Sequence, residues 1–139
     1  MLPFERWFLA FLAVAGAFFI AGITGSIVTD LAGLWHLPGA GFAAALAVVV
    51  TTYVAAPSRK FQASCLALVV GALAAWFLLD SSWYPETDRY QGLAYQPTHL
   101  PFIATFCGGV VGLLFAALLR SRARDGDVYH HAVPRSGPA

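Results

Sequence analysis

The sequence predicts an all-α membrane protein, a bundle of four transmembrane helices. Three observations carry that expectation. Of its 139 residues, 59% are hydrophobic and only 11% charged, with a mean hydropathy of +0.70. A soluble domain has about 45–50% apolar and about 25% charged residues, so the soluble class is excluded. Four runs, at about 7–28, 39–56, 61–79 and 100–119, approach or reach the roughly 20 apolar residues needed to cross a bilayer core of about 30 Å. None of these runs contains Asp, Glu, Lys, Arg or His in its interior. Four runs without alternation cannot close a barrel, and within lipid only a helix then satisfies its own backbone.

The first run follows a short head carrying Glu5 and Arg6. Its apolar length of about 22 residues exceeds the usual 7–15 of a signal peptide, so the expectation is an uncleaved helix. The second begins after "WHLP" (35–38) and ends before "PSRK" (57–60), and the third follows that basic turn directly. The fourth begins at "THLP" (98–101), where Thr98 is placed to cap and Pro101 sits in the first turn. The run is followed by Arg120, Arg122 and Arg124. The predicted domain is 1–124, with an outer loop at 80–99. The end 125–139, "DGDVYHHAVPRSGPA", is polar with Gly and Pro and reads as a disordered cytoplasmic tail.

Basic residues set the orientation. Arg6, Arg59, Lys60, Arg120, Arg122, Arg124 and Arg135 fall on one side of the expected membrane, and only Arg89 falls on the other. Both termini are therefore expected in the cytoplasm. Arginine outnumbers lysine seven to one, as in GC-rich bacterial coding, so the expected location is a bacterial inner membrane.

His-Leu-Pro occurs at 36–38 and again at 99–101. Halves 7–60 and 61–124 each pass an Asp (Asp30, Asp80), then a Trp (Trp35, Trp83), then this tripeptide. In each half the histidine precedes a Ser-Arg arginine, Arg59 or Arg122, by 23 residues. The halves read as two tandem helical hairpins in parallel orientation. The competing explanation is coincidence, since Leu and Pro at a helix start are ordinary.

Helix packing in lipid depends on close backbone approach. Gly22 with Ser26, and Gly108 with Gly112, supply small residues at four-residue spacing. Ala43 with Ala47 and Gly71 with Ala75 add similar faces. Cys65 lies about 6 Å inside one end of its helix and Cys107 about 10 Å inside the other, at 1.5 Å per residue. Across a core of about 30 Å their levels differ by roughly 14 Å, so two free thiols are expected.

For chemistry, the outer loop offers variety. Trp83, Tyr84, Tyr90 and Tyr95 suit the membrane boundary as an aromatic belt. Asp30, His36, Asp80 and His99, with Glu86 and Asp88, are expected on one outer face, and His with carboxylate suits a divalent metal such as zinc. None shares a tight local spacing, and interfacial anchoring at headgroup level is the favoured reading of both histidines. No organic cofactor is predicted. The sequence contains no phosphate-binding glycine loop, nucleophile elbow, haem motif or nucleic-acid patch. Arg120–Arg124 reads as a topology signal and anionic-lipid contact.

The absence of intramembrane ionisable residues speaks against a secondary transporter acting alone and against intramembrane catalysis. The leading expectation is a structural or accessory membrane subunit, packing on itself as a homo-oligomer or on a larger complex. The alternative is a small-ligand or metal-binding protein, or an enzyme, using loop 80–99 and the Asp/His set. A third is a component of an oligomeric pore or transporter.

Overall fold

The computed structural model describes the backbone of residues 3–90 and 92–132, and the side chains of 4–90 and 92–123. Four helices are present: α1 (Pro3–Leu31), α2 (His36–Ala55), α3 (Lys60–Leu79) and α4 (Leu100–Ala132). Each contains a span long and apolar enough to cross a membrane. At 1.5 Å per residue the 20-residue α2 and α3 are each about 30 Å long, a core's thickness. α1, with 29 residues, is about 44 Å long.

The helix ends follow from local chemistry. Pro3 occupies the first turn of α1, where its missing N–H had no helical acceptor, and Glu5 lies near the positive end of the helix dipole. α1 ends at Gly33, whose φ of 67° is the left-handed conformation a glycine adopts without strain. The Gly33 N–H donates to the Asp30 carbonyl (2.8 Å) and the Leu34 N–H to the Thr29 carbonyl (2.9 Å), a Schellman ending. α2 stops before Pro57, with the Ala56 N–H donating to the Thr52 carbonyl. Arg59, at φ 47°, turns the chain into α3. Thr98 caps α4 as its position predicts, its Oγ1 accepting from the Leu100 N–H at 3.2 Å.

The observed bounds run past the predicted ones where polar residues still form helix. α1 extends through Asp30, and α4 continues beyond Leu119 to Ala132. Of the expected disordered tail, 125–132 is helical and 133–139 lies outside the described residues. The segment 119–125 consists mainly of good helix formers, and a single Gly126 costs only about 1 kcal/mol.

α2 and α4 form the centre. Gly22 meets Ala44 and Gly25 meets Ala43 and Gly39, so α1 runs antiparallel to α2. Gly41 faces Thr105, Gly108 faces Phe42, and Gly112 faces Leu46 and Val49, so α2 and α4 run parallel. These contacts join residues 63 to 66 positions apart, and the two His-Leu-Pro tripeptides are 63 apart. Corresponding helices of the two halves thus pack side by side with the tripeptides at one level. The outer helices are not equivalent. α3 packs on both α2 and α4, whereas α1 packs on α2 alone among the described residues.

The interior is built from small side chains. Ala44, Val49, Ala75 and Ala116 are buried, while Phe19, Ile20, Phe77 and Leu78 are 64–81% exposed. Large apolar groups facing outward around an alanine and glycine core is the arrangement lipid permits and water does not. The protein is a multi-pass helical membrane protein.

Antiparallel neighbours collect the charges at opposite ends. Arg6, Arg59, Lys60, Arg120 and Arg122 lie at one end, with Glu5 the single acid there among the described side chains. Asp30, Asp80, Glu86, Asp88 and Arg89 lie at the other.

Candidate functional site

Loop 80–99 is a folded cap at the acidic end. Trp83 pairs with Pro97 as an antiparallel bridge. Around it the Tyr84 N–H donates to the Gln96 carbonyl, the Tyr95 N–H to the Tyr84 carbonyl, and the Thr98 N–H to the Ser82 carbonyl, at 2.9–3.1 Å. One short 3-10 turn, Asp88–Tyr90, lies between the two arms. The rings of Trp35, Tyr84 and Tyr90 meet in series at tilts of 44° and 33°, with centroids 5.9 and 5.5 Å apart. Arg89 Nη1 donates to the Gly33 carbonyl at 3.3 Å. The loop is thereby tied to the α1–α2 turn, on the other hairpin. Pro85 and Pro97 are incompatible with one continuous helix here, and the Trp83–Pro97 bridge and the ring contacts accompany the fold-back.

The Tyr95 hydroxyl donates to a Glu86 carboxylate oxygen. That bond, and the carboxylate's negative charge, hold the phenol above its ordinary pKa of 10.0.

The predicted metal set is placed as follows. Asp30 is exposed in the last turn of α1, and its carbonyl receives the Gly33 N–H. His36 opens α2 with an exposed side chain, and its carbonyl lies 3.5 Å from the Thr29 hydroxyl. Asp80 follows α3 and is exposed. His99 precedes α4, its ring stacked on Trp76 with centroids 6.1 Å apart and planes inclined by 10°. Trp76 also meets Phe102 edge-on at 5.1 Å, and Phe102 stacks with Phe106. All four residues share one end of the bundle, as expected. Among the described residues, however, no three His, Cys, Asp or Glu side chains are grouped to hold a metal ion. An aromatic column, not a carboxylate, receives the His99 ring.

Of the predicted packing residues, Gly22, Gly108 and Gly112 are at helix contacts, with one change of emphasis. A Cβ at Gly108 would lie 2.2 Å from the Phe42 carbonyl oxygen, and one at Gly112 2.9 Å from that of Leu46. Gly22 is looser, at 3.6 Å from Ala44 Cβ, and Ser26 is half-buried. The tight point on α1 is Gly25, whose Cβ would lie 2.6 Å from both Ala43 Cβ and the Gly39 carbonyl. Ala21, Gly25 and Thr29 form another four-residue row beside Gly22 and Ser26, so both rows are written in the sequence. Gly71 faces open space. Gly39, Gly41 and Gly109 also make close contacts, and Gly39 extends the Ala43–Ala47 row by one four-residue step.

Ser64 carries the hydroxyl whose role periodicity does not reveal. It is fully buried, with Oγ 3.2 Å from the carbonyl oxygens of both Val49 on α2 and Lys60 on its own helix. Among the other membrane hydroxyls, those of Thr24, Thr29, Thr52 and Thr105 bond back to the preceding turn. Cys65 and Cys107 are free thiols, as their depths predict.

At the basic end, the Arg120 guanidinium lies 5.1 Å from the centroid of the Phe61 ring. Arg6 and Lys60 line an open cleft of about 420 Å³ between the start of α1 and the end of α2.

The site and fold define the class of a small polytopic helical protein with a folded aromatic cap at one end and a basic surface at the other. No protein-family model, no curated protein and no solved structure matches the chain.

Proposed function

We propose that the chain is a structural or accessory subunit of a bacterial inner membrane, packing against itself or a larger membrane complex. The observation that carries this reading is the position of α1. Among the described residues it packs on α2 alone, and its remaining surface is apolar along nearly its whole length, with Phe11, Phe19, Ile20 and Ile23 each 61–71% exposed. Such a helix is anchored along one narrow face and offers the others to lipid or to another helix. Both termini are assigned to the cytoplasm, because the basic end of the bundle holds the ends of short loops that retain Lys and Arg. The aromatic cap then faces the periplasm, and its bond to the α1–α2 turn supports a scaffolding role.

The test places single cysteines at Phe19 or Ile20 in a Cys65→Ser/Cys107→Ser background and oxidises native membranes. Crosslinks from α1 to a second copy, or to one stoichiometric partner, are expected. A monomer without crosslinks from either position, in membranes and in native-lipid discs, would overturn the reading.

A further inference from the structure

We propose that the cleft between the N-terminal turns of α1 and the C-terminal turn of α2 binds the phosphodiester headgroup of an anionic phospholipid. Arg6 and Lys60 line its mouth, and Ala10 and Ala56 are buried in its wall at 8% and 2% exposure. Leu9 and Val54 also line it and are 49% and 62% exposed. The cleft exists because alanine stands at both buried positions: a longer side chain there would fill it.

The arrangement matches an amphiphile in order along the bilayer normal. Ala10 is four residues beyond Arg6, about 6 Å deeper along α1. A phosphate held by the two cations therefore leaves an acyl chain beside Leu9 and Val54, which continue into the outward apolar surface. Inorganic phosphate would use the cations and leave the apolar walls unoccupied. The end of α2 contributes roughly half a negative charge, which two full positive charges outweigh. Glu5 precedes Arg6 by one position, turned about 100° around the helix, and does not line the cleft. Arg120, by contrast, is stacked on Phe61 outside the cleft.

Each basic residue near an anionic surface is worth about fivefold in affinity, so two held around one phosphate are worth about thirtyfold. The experiment uses the full chain in detergent, titrated with phosphatidylglycerol or phosphatidylcholine, with retained lipid counted by native mass spectrometry. Wild type is expected to retain one phosphatidylglycerol in preference to phosphatidylcholine. Arg6→Gln/Lys60→Gln should lose about thirtyfold of that preference, and Arg6→Lys/Lys60→Arg should keep it. Ala10→Leu, which fills the cleft with the charges intact, should also lose it. Arg120→Gln/Arg122→Gln removes the same charge outside the cleft and should lose less than fivefold. Equal losses from the two Gln pairs would reduce the effect to a diffuse field and overturn the site. Displacement of the lipid by millimolar inorganic phosphate, with Ala10→Leu unaffected, would overturn the lipid as its occupant. Melting curves of each variant show whether the fold is retained, and the charge-preserving pair decides the outcome if the Gln pair unfolds.

Discussion

Gly108→Ala is the sharpest perturbation of the α2–α4 contact. The added methyl would lie 2.2 Å from the Phe42 carbonyl oxygen and 2.8 Å from Phe42 C and Cα. Ordinary contact begins at 3.4 Å, so the methyl intrudes by about 1.2 Å into backbone that has no rotamer to change. The helices must separate, and separation also loosens Gly112 against Leu46 and Gly41 against Thr105. Overpacking of this kind costs about 1–3 kcal/mol, and the upper half of that range is expected because backbone opposes backbone. Intrinsic helix propensity acts in the other direction, favouring alanine by about 0.5–1 kcal/mol. Gly71→Ala isolates that opposing effect, since nothing lies within 4 Å of its new methyl. The assay is unfolding by rising denaturing-detergent fraction, followed by tryptophan fluorescence and by loss of helical circular dichroism. Gly108→Ala should lose about 2 kcal/mol and Gly71→Ala should gain up to about 1. Equal stabilisation of both would show that the α2–α4 contact is not closely packed in solution, and the core described above would be wrong.

Ser64→Ala removes the buried hydroxyl bridging α3 to the Val49 carbonyl and should cost about 0.5–1.5 kcal/mol in the same assay, with Ser64→Thr costing more through added bulk. Tyr95 should ionise above pH 10.0 in ultraviolet titration, and Glu86→Gln should lower its midpoint by removing the negative charge. Its folded pKa is raised, so the Tyr95–Glu86 contribution to the cap is fully present below pH 10 and is lost as pH rises through the folded value. A Tyr95 midpoint unchanged by Glu86→Gln would refute that pairing. Reporter fusions after Arg124 and within 57–60 should report cytoplasm, and one near Thr87 periplasm; a periplasmic signal at the C-terminal fusion would reverse the assigned topology.

Hydropathy alone determined the number of spans, because apolar length is a property of contiguous residues and lipid leaves the backbone no alternative to helix. Local rules placed Pro101 in a first turn and Thr98 as a cap, since each acts within a few residues of itself. The separation of bases and acids also follows from order along the chain once the helices alternate in direction. Which face of each helix meets a neighbour is different. The rows Gly22–Ser26 and Ala21–Gly25–Thr29 lie side by side on one helix and are equally small, and only contact with Ala43 and Gly39 selects Gly25 as the close point. In the same way Asp30, His36, Asp80 and His99 could be assigned to one end by topology, but a metal site requires side chains to converge within bonding distance. Tertiary structure sets His99 on Trp76 instead, 23 residues away in sequence and on another helix. The cleft at Arg6 and Lys60 joins residues 54 apart, and its concavity comes from two alanines whose smallness matters only where α1 meets α2. Sequence pattern specifies what each segment can bury; the fold decides which of several equivalent surfaces does so, because that choice depends on complementarity between segments distant along the chain.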